Sequence, residues 1–138
     1  MEKVKIILVE DNQQFRESIK ELLIIKCCYE VIAEANNGEE FLSLGESLSP
    51  DIILMDLSMP NINGFEATKK YFWQFPKSKI IAVTGSIETT FLDKLIEVGF
   101  KGCVFKHNVF DEIQKAIETV LSDKMWFLNV HKLSFENK

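Results

Sequence analysis

A chain of 138 residues, 46% hydrophobic and 27% charged, can bury one sizeable core but not two ordinary domains, and its balance is that of a globular protein. No apolar run approaches the roughly 20 residues that span a bilayer, and Met1 leads straight into a strand pattern with no signal-peptide core, so a cytoplasmic location without a membrane partner is expected. A net charge of −5 with no run of lysine or arginine argues against direct nucleic-acid binding by this domain. The three cysteines, Cys27, Cys28 and Cys103, lack metal-ligand spacing, and an adjacent pair makes a poor disulfide, so reduced thiols are expected.

In chain order, residues 3–9 carry Val4 and then Ile6, Ile7, Leu8 and Val9, the pattern of a strand covered on both faces, and close on Glu10-Asp11. Asn12 is placed to cap a helix whose Phe15, Ile19, Leu22 and Leu23 share one face. Residues 29–35 alternate, with Tyr29, Val31 and Ala33 opposite Glu30, Ile32 and Glu34, which suits an edge strand. Asn36-Asn37-Gly38 reads as a turn, and Phe41, Leu44 and Leu48 mark a second short helix.

Pro50 and Asp51 are turn chemistry. Ile52, Ile53, Leu54 and Met55 then form another fully covered strand, ending on Asp56 at the boundary of core and solvent, before a loop that cannot become helix ahead of Pro60. Past Asn61-Ile62-Asn63-Gly64, Phe65 and Phe72 give the next helix a core face, with Trp73 and Phe75 near its end and Pro76 as its stop. Residues 79–83 are a further continuous strand closing on Thr84-Gly85-Ser86. Ser86 is placed to cap a helix with the stripe Phe91, Leu92, Leu95 and Ile96, terminated by Gly99. A short strand over 101–105 ends at Lys106, and Phe110, Ile113, Ile117, Val120 and Leu121 form the core side of a last helix.

Five strands alternating with five helices call for an α/β fold, a parallel sheet with helices on both faces and right-handed crossovers. The pattern ends near Ser122. The domain is therefore expected over residues 1–122, with residues 123–138 as a C-terminal tail or truncated linker whose Trp126, Phe127, Leu128, Val130, Leu133 and Phe135 show no clear period.

Alone, Asp56 reads as an ordinary strand-end residue; the other reading is a nucleophile or metal ligand at the carboxyl edge of a parallel sheet, where such folds place their ligands. The other strand ends decide between them. Glu10, Asp11, Asp56, Thr84 and Lys106 come from four separate strands and converge on one rim. At about 4 Å, each pair of like charges costs on the order of 4 kcal/mol at an effective dielectric near 20, so three acids in one pocket call for a cation. An all-oxygen site that keeps waters suits a hard divalent ion, and Mg2+ is the expected cofactor. With the repulsion offset, Asp56 can attack a phosphoryl group as a carboxylate nucleophile, Lys106 can pair with the phosphoryl oxygens, and the Thr84 hydroxyl can donate to one of them.

The ordered set Glu10-Asp11, Asp56-Leu57-Ser58-Met59-Pro60, Asn63-Gly64, Thr84-Gly85 and Lys106 resembles the receiver domain of a bacterial two-component response regulator over residues 3 to 122. The resemblance implies a flavodoxin-like, doubly wound five-stranded sheet of order 2-1-3-4-5. It implies Asp56 as phosphoacceptor, Asp11 as a direct Mg2+ ligand, Glu10 holding the ion through water, and the Ser58 backbone carbonyl as a further ligand. It implies Gly85 as the small residue that leaves space beside the phosphoryl group. It also implies a sensor histidine kinase or phosphotransfer protein as partner, and a surface over residues 87–98 and the fifth strand that, after phosphorylation draws Thr84 inward, dimerises or meets an output partner. No enzyme activity beyond self-phosphorylation and dephosphorylation is implied.

Two positions depart from the family pattern. Cys103 stands where receivers usually carry a Tyr or Phe that rotates with the threonine, while Phe105 lies on the same side of the strand nearer the lysine. His107 stands where many receivers have a proline after a cis bond, which before a non-proline costs about 3 kcal/mol, so a trans bond or a strained loop is expected. His107 and His131 both read as loop or tail residues, since a phosphodonor histidine projects from a helix face.

Other classes fit less well. A phosphatase with an aspartyl intermediate wants a second aspartate two residues after the nucleophile, and Ser58 is there. A flavodoxin-type binder wants a Gly-, Ser- or Thr-rich anion loop after the first strand, where Glu10-Asp11 would repel an anion. A receiver half of a DNA-binding transcriptional regulator stays open, because residues 120–128 resemble the linker ahead of such a domain. Ser58 and Ser86, each two residues beyond a site residue, flank the path of an attacking water, so substituting either is expected to change the lifetime of the phosphorylated protein. Timed phosphate release checks this, and unchanged lifetimes would remove the idea.

Overall fold

The computed structural model describes residues 2–57, 63–85 and 89–127, with the side chains of 89 and 90 excepted. Five strands, β1 (Lys5–Val9), β2 (Glu30–Ala35), β3 (Ile52–Asp56), β4 (Ile80–Thr84) and β5 (Gly102–Phe105), alternate with α1 (Gln13–Glu21), α2 (Gly38–Gly45), α3 (Gly64–Gln74), α4 (Thr89–Val98) and α5 (Val109–Leu121). The strands pair in parallel in the order β2-β1-β3-β4-β5, the flavodoxin-like order that the resemblance implied.

The apolar runs explain this order. In β3 and β4 every residue is buried, which requires a central place with helices on both faces, whereas β2 is only partly covered and takes an edge. Side chains alternate across the sheet: Ile7, Val9, Ile53, Met55, Ile80, Ala82 and Cys103 share one face with α2, α3 and α4, and Ile6, Leu8, Ile52, Leu54, Ile81, Val83 and Val104 share the other with α1 and α5. No helix among the described residues is long and apolar enough to cross a membrane.

Several local expectations are corrected. Gly38 is the first residue of α2 and no turn, because Asn37 caps the helix by accepting from the Glu40 amide. Helix α3 buries Ala67, Thr68 and Tyr71, with Phe65 and Phe72 half-buried at its flanks, since three small or flat side chains fit against the sheet more closely than two rings seven residues apart. Phe110 lies half exposed, and Val109 takes the core position one residue earlier. The first helix continues as a turn of π-helix, Leu22–Lys26, and the chain leaves it through Cys28 at φ 60°.

Gly64 fixes the approach of α3 to the end of β3. A Cβ there would lie 1.8 Å from the Asp56 carbonyl oxygen, so only glycine lets the two backbones meet, and Asn63 caps the helix at the same point through the Glu66 amide. Beyond α5, residues 123–127 lie against the domain. Lys79 pairs with Asp123 at 3.1 Å, and Trp126 forms a parallel bridge with Gly102.

Candidate functional site

The carboxyl edge of the sheet gathers the polar strand ends. Parallel register sets Val9 beside Met55 and Asp56 beside Val83, so Glu10 and Asp11 follow β1 at the level where β3 ends, and Thr84 ends β4 one residue beyond the partner of Asp56. Glu10 and Asp56 are 2% and 1% exposed, while Asp11 is open to solvent. Asp56 therefore sits inside the core boundary and not at it, roofed by α3 through Gly64. Carboxylate oxygens of Glu10, Asp11 and Asp56 all lie within 4.8 Å of one another.

Lys106, the residue after β5, closes the cluster. Its Nζ stands 3.1 Å from Glu10 Oε1, 3.4 Å from Glu10 Oε2 and 3.6 Å from Asp56 Oδ2. Burial alone would lower the Lys106 pKa, but the hydrogen bond to Glu10 and the charges of Asp56, Glu10 and Asp11 together raise it above the ordinary value. The ammonium is thus held charged.

Glu10 is itself fixed in place. The Asn12 amide donates to its Oε2 at 3.0 Å, and Arg16 donates to its backbone carbonyl at 2.8 Å while also reaching Asn36. Arg16 and Lys20 are drawn in turn to Glu34 on β2, at 3.4 and 2.8 Å. The buried glutamate thus belongs to a network that ties β1, α1 and β2 together.

Phe15 is a site residue that the helical pattern assigned to the core face of α1. It is only half-buried, and its ring lies 5.0 Å from Lys106 Nζ, a cation–π distance. The signal was its place one turn into the helix, because helical side chains lean toward the N-terminus, here toward the acidic corner.

Ser58 and Ser86 lie outside the described residues, as do Met59, Pro60 and His131. Thr84 is buried, and a side chain at Gly85 would meet nothing within 4 Å, so there is room beside the threonine. No peptide among the described residues is cis, so His107 follows a trans bond, and its ring stacks on Phe105 at 5.7 Å. Cys103 is buried in the helical layer of α3 and α4, and burial pushes its thiol up to about 12.

The donor set fits a hard divalent cation. Three carboxyl groups facing one ammonium leave an excess of negative charge, all their ligand atoms are oxygens, and the exposed Asp11 leaves a side for water.

The comparisons with known proteins fall on the same stretch. The family model of the response regulator receiver domain matches residues 6–118. Among curated relatives, the transcriptional regulatory protein DegU of Brevibacillus brevis is 31% identical over 86% of this chain and 50% of its own length. LnrK of Bacillus subtilis is 36% identical over 88% and 56%, and GacA of Pseudomonas syringae 33% over 89% and 58%. The chain thus spans about half the length of the curated relatives it matches. A LuxR-family two-component response regulator from Aurantimonas sp. SI85-9A1 superposes with a TM-score of 0.89 at 30% identity, covering 95% of this chain and 94% of that one.

The burial of Cys103 predicts a difference in thiol chemistry. Buried and with its thiol held protonated by that burial, Cys103 should stay unreactive toward a thiol reagent in the native chain, while exposed Cys28 is modified. Peptide mapping after brief labelling checks this. Labelling of Cys103 at the rate of Cys28 would contradict it.

Proposed function

The chain belongs to the response regulator receiver family, and on that footing we propose that Asp56 is the phosphoacceptor of a phosphorelay, with Lys106 and Thr84 as its catalytic companions and Glu10, Asp11, Asp56 and Ser58 as holders of Mg2+. The observation that carries this is the meeting of three carboxylates and one ammonium at the ends of β1, β3 and β5.

In the reaction, an Asp56 carboxylate oxygen forms a bond to phosphorus as the bond from phosphorus to the donor breaks. The electron pair leaves with the donor, a histidine nitrogen of a kinase or phosphotransfer protein. Lys106, already held charged among the acids, moves its hydrogen bonds to the phosphoryl oxygens, which strengthens them as negative charge grows there. Thr84 donates its hydroxyl proton in a hydrogen bond to a phosphoryl oxygen, with the space beside Gly85 leaving that approach clear. Held by Glu10, Asp11, Asp56 and Ser58, a Mg2+ ion would supply positive charge to offset that of the carboxylates and of the phosphoryl group. Glu10, pinned by the Asn12 amide, keeps its position throughout. The chemistry of the chain is limited to gaining and losing its own phosphoryl group, and the receiver extends over residues 1–122.

Phosphorylation replaces the single charge of the Asp56 carboxylate by a phosphoryl group that carries roughly two negative charges and projects beside Thr84. The resulting pull on the end of β4 repositions α4 and β5, which form the surface for a second copy or an output partner. A second reading, the receiver half of a DNA-binding transcriptional regulator, is favoured by one observation: the relatives named as transcriptional regulatory proteins are about twice as long as the matched region.

Incubation with Mg2+ and acetyl phosphate, followed by intact mass, tests the assignment. The wild-type chain should gain one phosphoryl group and Asp56→Ala none, and the same samples on a sizing column report dimerisation. Equal labelling of both proteins, or of neither, would overturn it.

A further inference from the structure

The outer edge of β5 has no strand of the five-stranded sheet beside it, yet it is not bare. Trp126 donates its amide to the Lys101 carbonyl at 3.0 Å, and its carbonyl accepts from the Cys103 amide at 2.9 Å, the paired bonds of a parallel ladder. The side chains alternate as on a strand. Trp126 packs on the α1 and α5 face, and Phe127, 3% exposed, enters the opposite cluster with Leu92 and Leu95 of α4, Phe100 and Cys103. Gly102 eases the approach, because a Cβ there would stand 3.1 Å from the Trp126 carbonyl oxygen, a tight contact to which the strap would have to yield by a few tenths of an ångström.

We propose that the β5 edge is a strand-docking site occupied by the chain's own residues 125–127, and that this strap holds the unphosphorylated arrangement of α4 and is released when Asp56 is phosphorylated. The proposal rests on the phosphoacceptor reading above. Its geometry has two routes of contact. Strand β5 lies between β4, which ends at Thr84, and the strap, so a shift at Thr84 reaches the ladder through a single strand, Thr84 pairing with Phe105 and Ala82 with Cys103. Phe127 in turn shares its apolar cluster with α4, which begins five residues after Thr84, and fills the layer where Cys103 offers only a thiol. A socket shaped by one position of α4 fits Phe127 less well in another. If the strap and the phosphoryl group favour different positions of α4, weakening the strap shifts the chain toward the arrangement that phosphorylation favours.

The test uses the full chain carrying Trp73→Phe, a substitution at a side chain 90% exposed, which leaves Trp126 as the sole tryptophan. Intact mass first records whether Asp56 takes phosphate from acetyl phosphate and Mg2+. On phosphorylation, Trp126 emission should shift to the red and hydrogen exchange at the Trp126 and Cys103 amides should quicken by at least about fivefold, the lower end of ordinary coupling. Gly102→Val and Phe127→Ala should show both changes before phosphorylation and speed exchange along α4. A fully phosphorylated chain with unchanged Trp126 emission and exchange would overturn the strap and leave the phosphoacceptor reading intact. If Asp56 takes no phosphate, that reading fails, and the strap is still decided by the variants: Phe127→Ala with wild-type exchange along α4 would overturn it.

Discussion

The arrangement depends on one electrostatic constraint: Glu10, Asp11 and Asp56 bring carboxylate oxygens within 4.8 Å of one another, with two of the three residues buried. At such distances like charges repel by several kcal/mol per pair, on the order of 3 to 4 at an effective dielectric near 20, and a single ammonium at 3.1 and 3.6 Å offsets part of that. The offset is incomplete because one positive charge faces three negative ones. The remainder favours added positive charge, which is what the proposed metal would bring.

The fold exists to hold that constraint. Parallel strands all end on one edge, so residues far apart in sequence arrive together without any of their loops having to be long. Gly64 brings α3 down on the Asp56 carbonyl, and the Arg16, Asn36 and Glu34 network secures the backbone of Glu10 from the β2 side. Each device stiffens one wall of the pocket. The wall formed by β4, α4 and β5 has instead a side chain borrowed from beyond α5, Phe127, in its apolar layer. It is the wall whose position the proposed switch changes.

How much of this the sequence discloses follows from the length over which each signal repeats. Uninterrupted runs such as 52–55 and 80–83 are buried on both faces, so strand identity, central placement and the carboxyl-edge site could be read directly. Asn12 declared its cap in the same way, by chemistry at a fixed offset. Helix faces were less legible: in α3 the large rings drew attention from Ala67, Thr68 and Tyr71, which fit the sheet. Phe15 could be assigned to a helix but not to Lys106, because that contact joins residues 91 apart in the chain. The π-turn over Leu22–Lys26 has no periodicity of its own. Two alternating residues, Trp126 and Phe127, are too few to announce a strand, and only the edge of β5 makes them one.

The most direct measurement of the central claim is a titration of Mg2+ against the unphosphorylated chain, followed by the thermal unfolding midpoint. A cation that relieves the carboxylate repulsion binds the folded state alone and must stabilise it by mass action. The midpoint should rise saturably with Mg2+ in the wild type, and the rise should be lost in Asp11→Asn, a change at an exposed side chain. A wild-type midpoint indifferent to Mg2+, or an equal response in Asp11→Asn, would contradict the account.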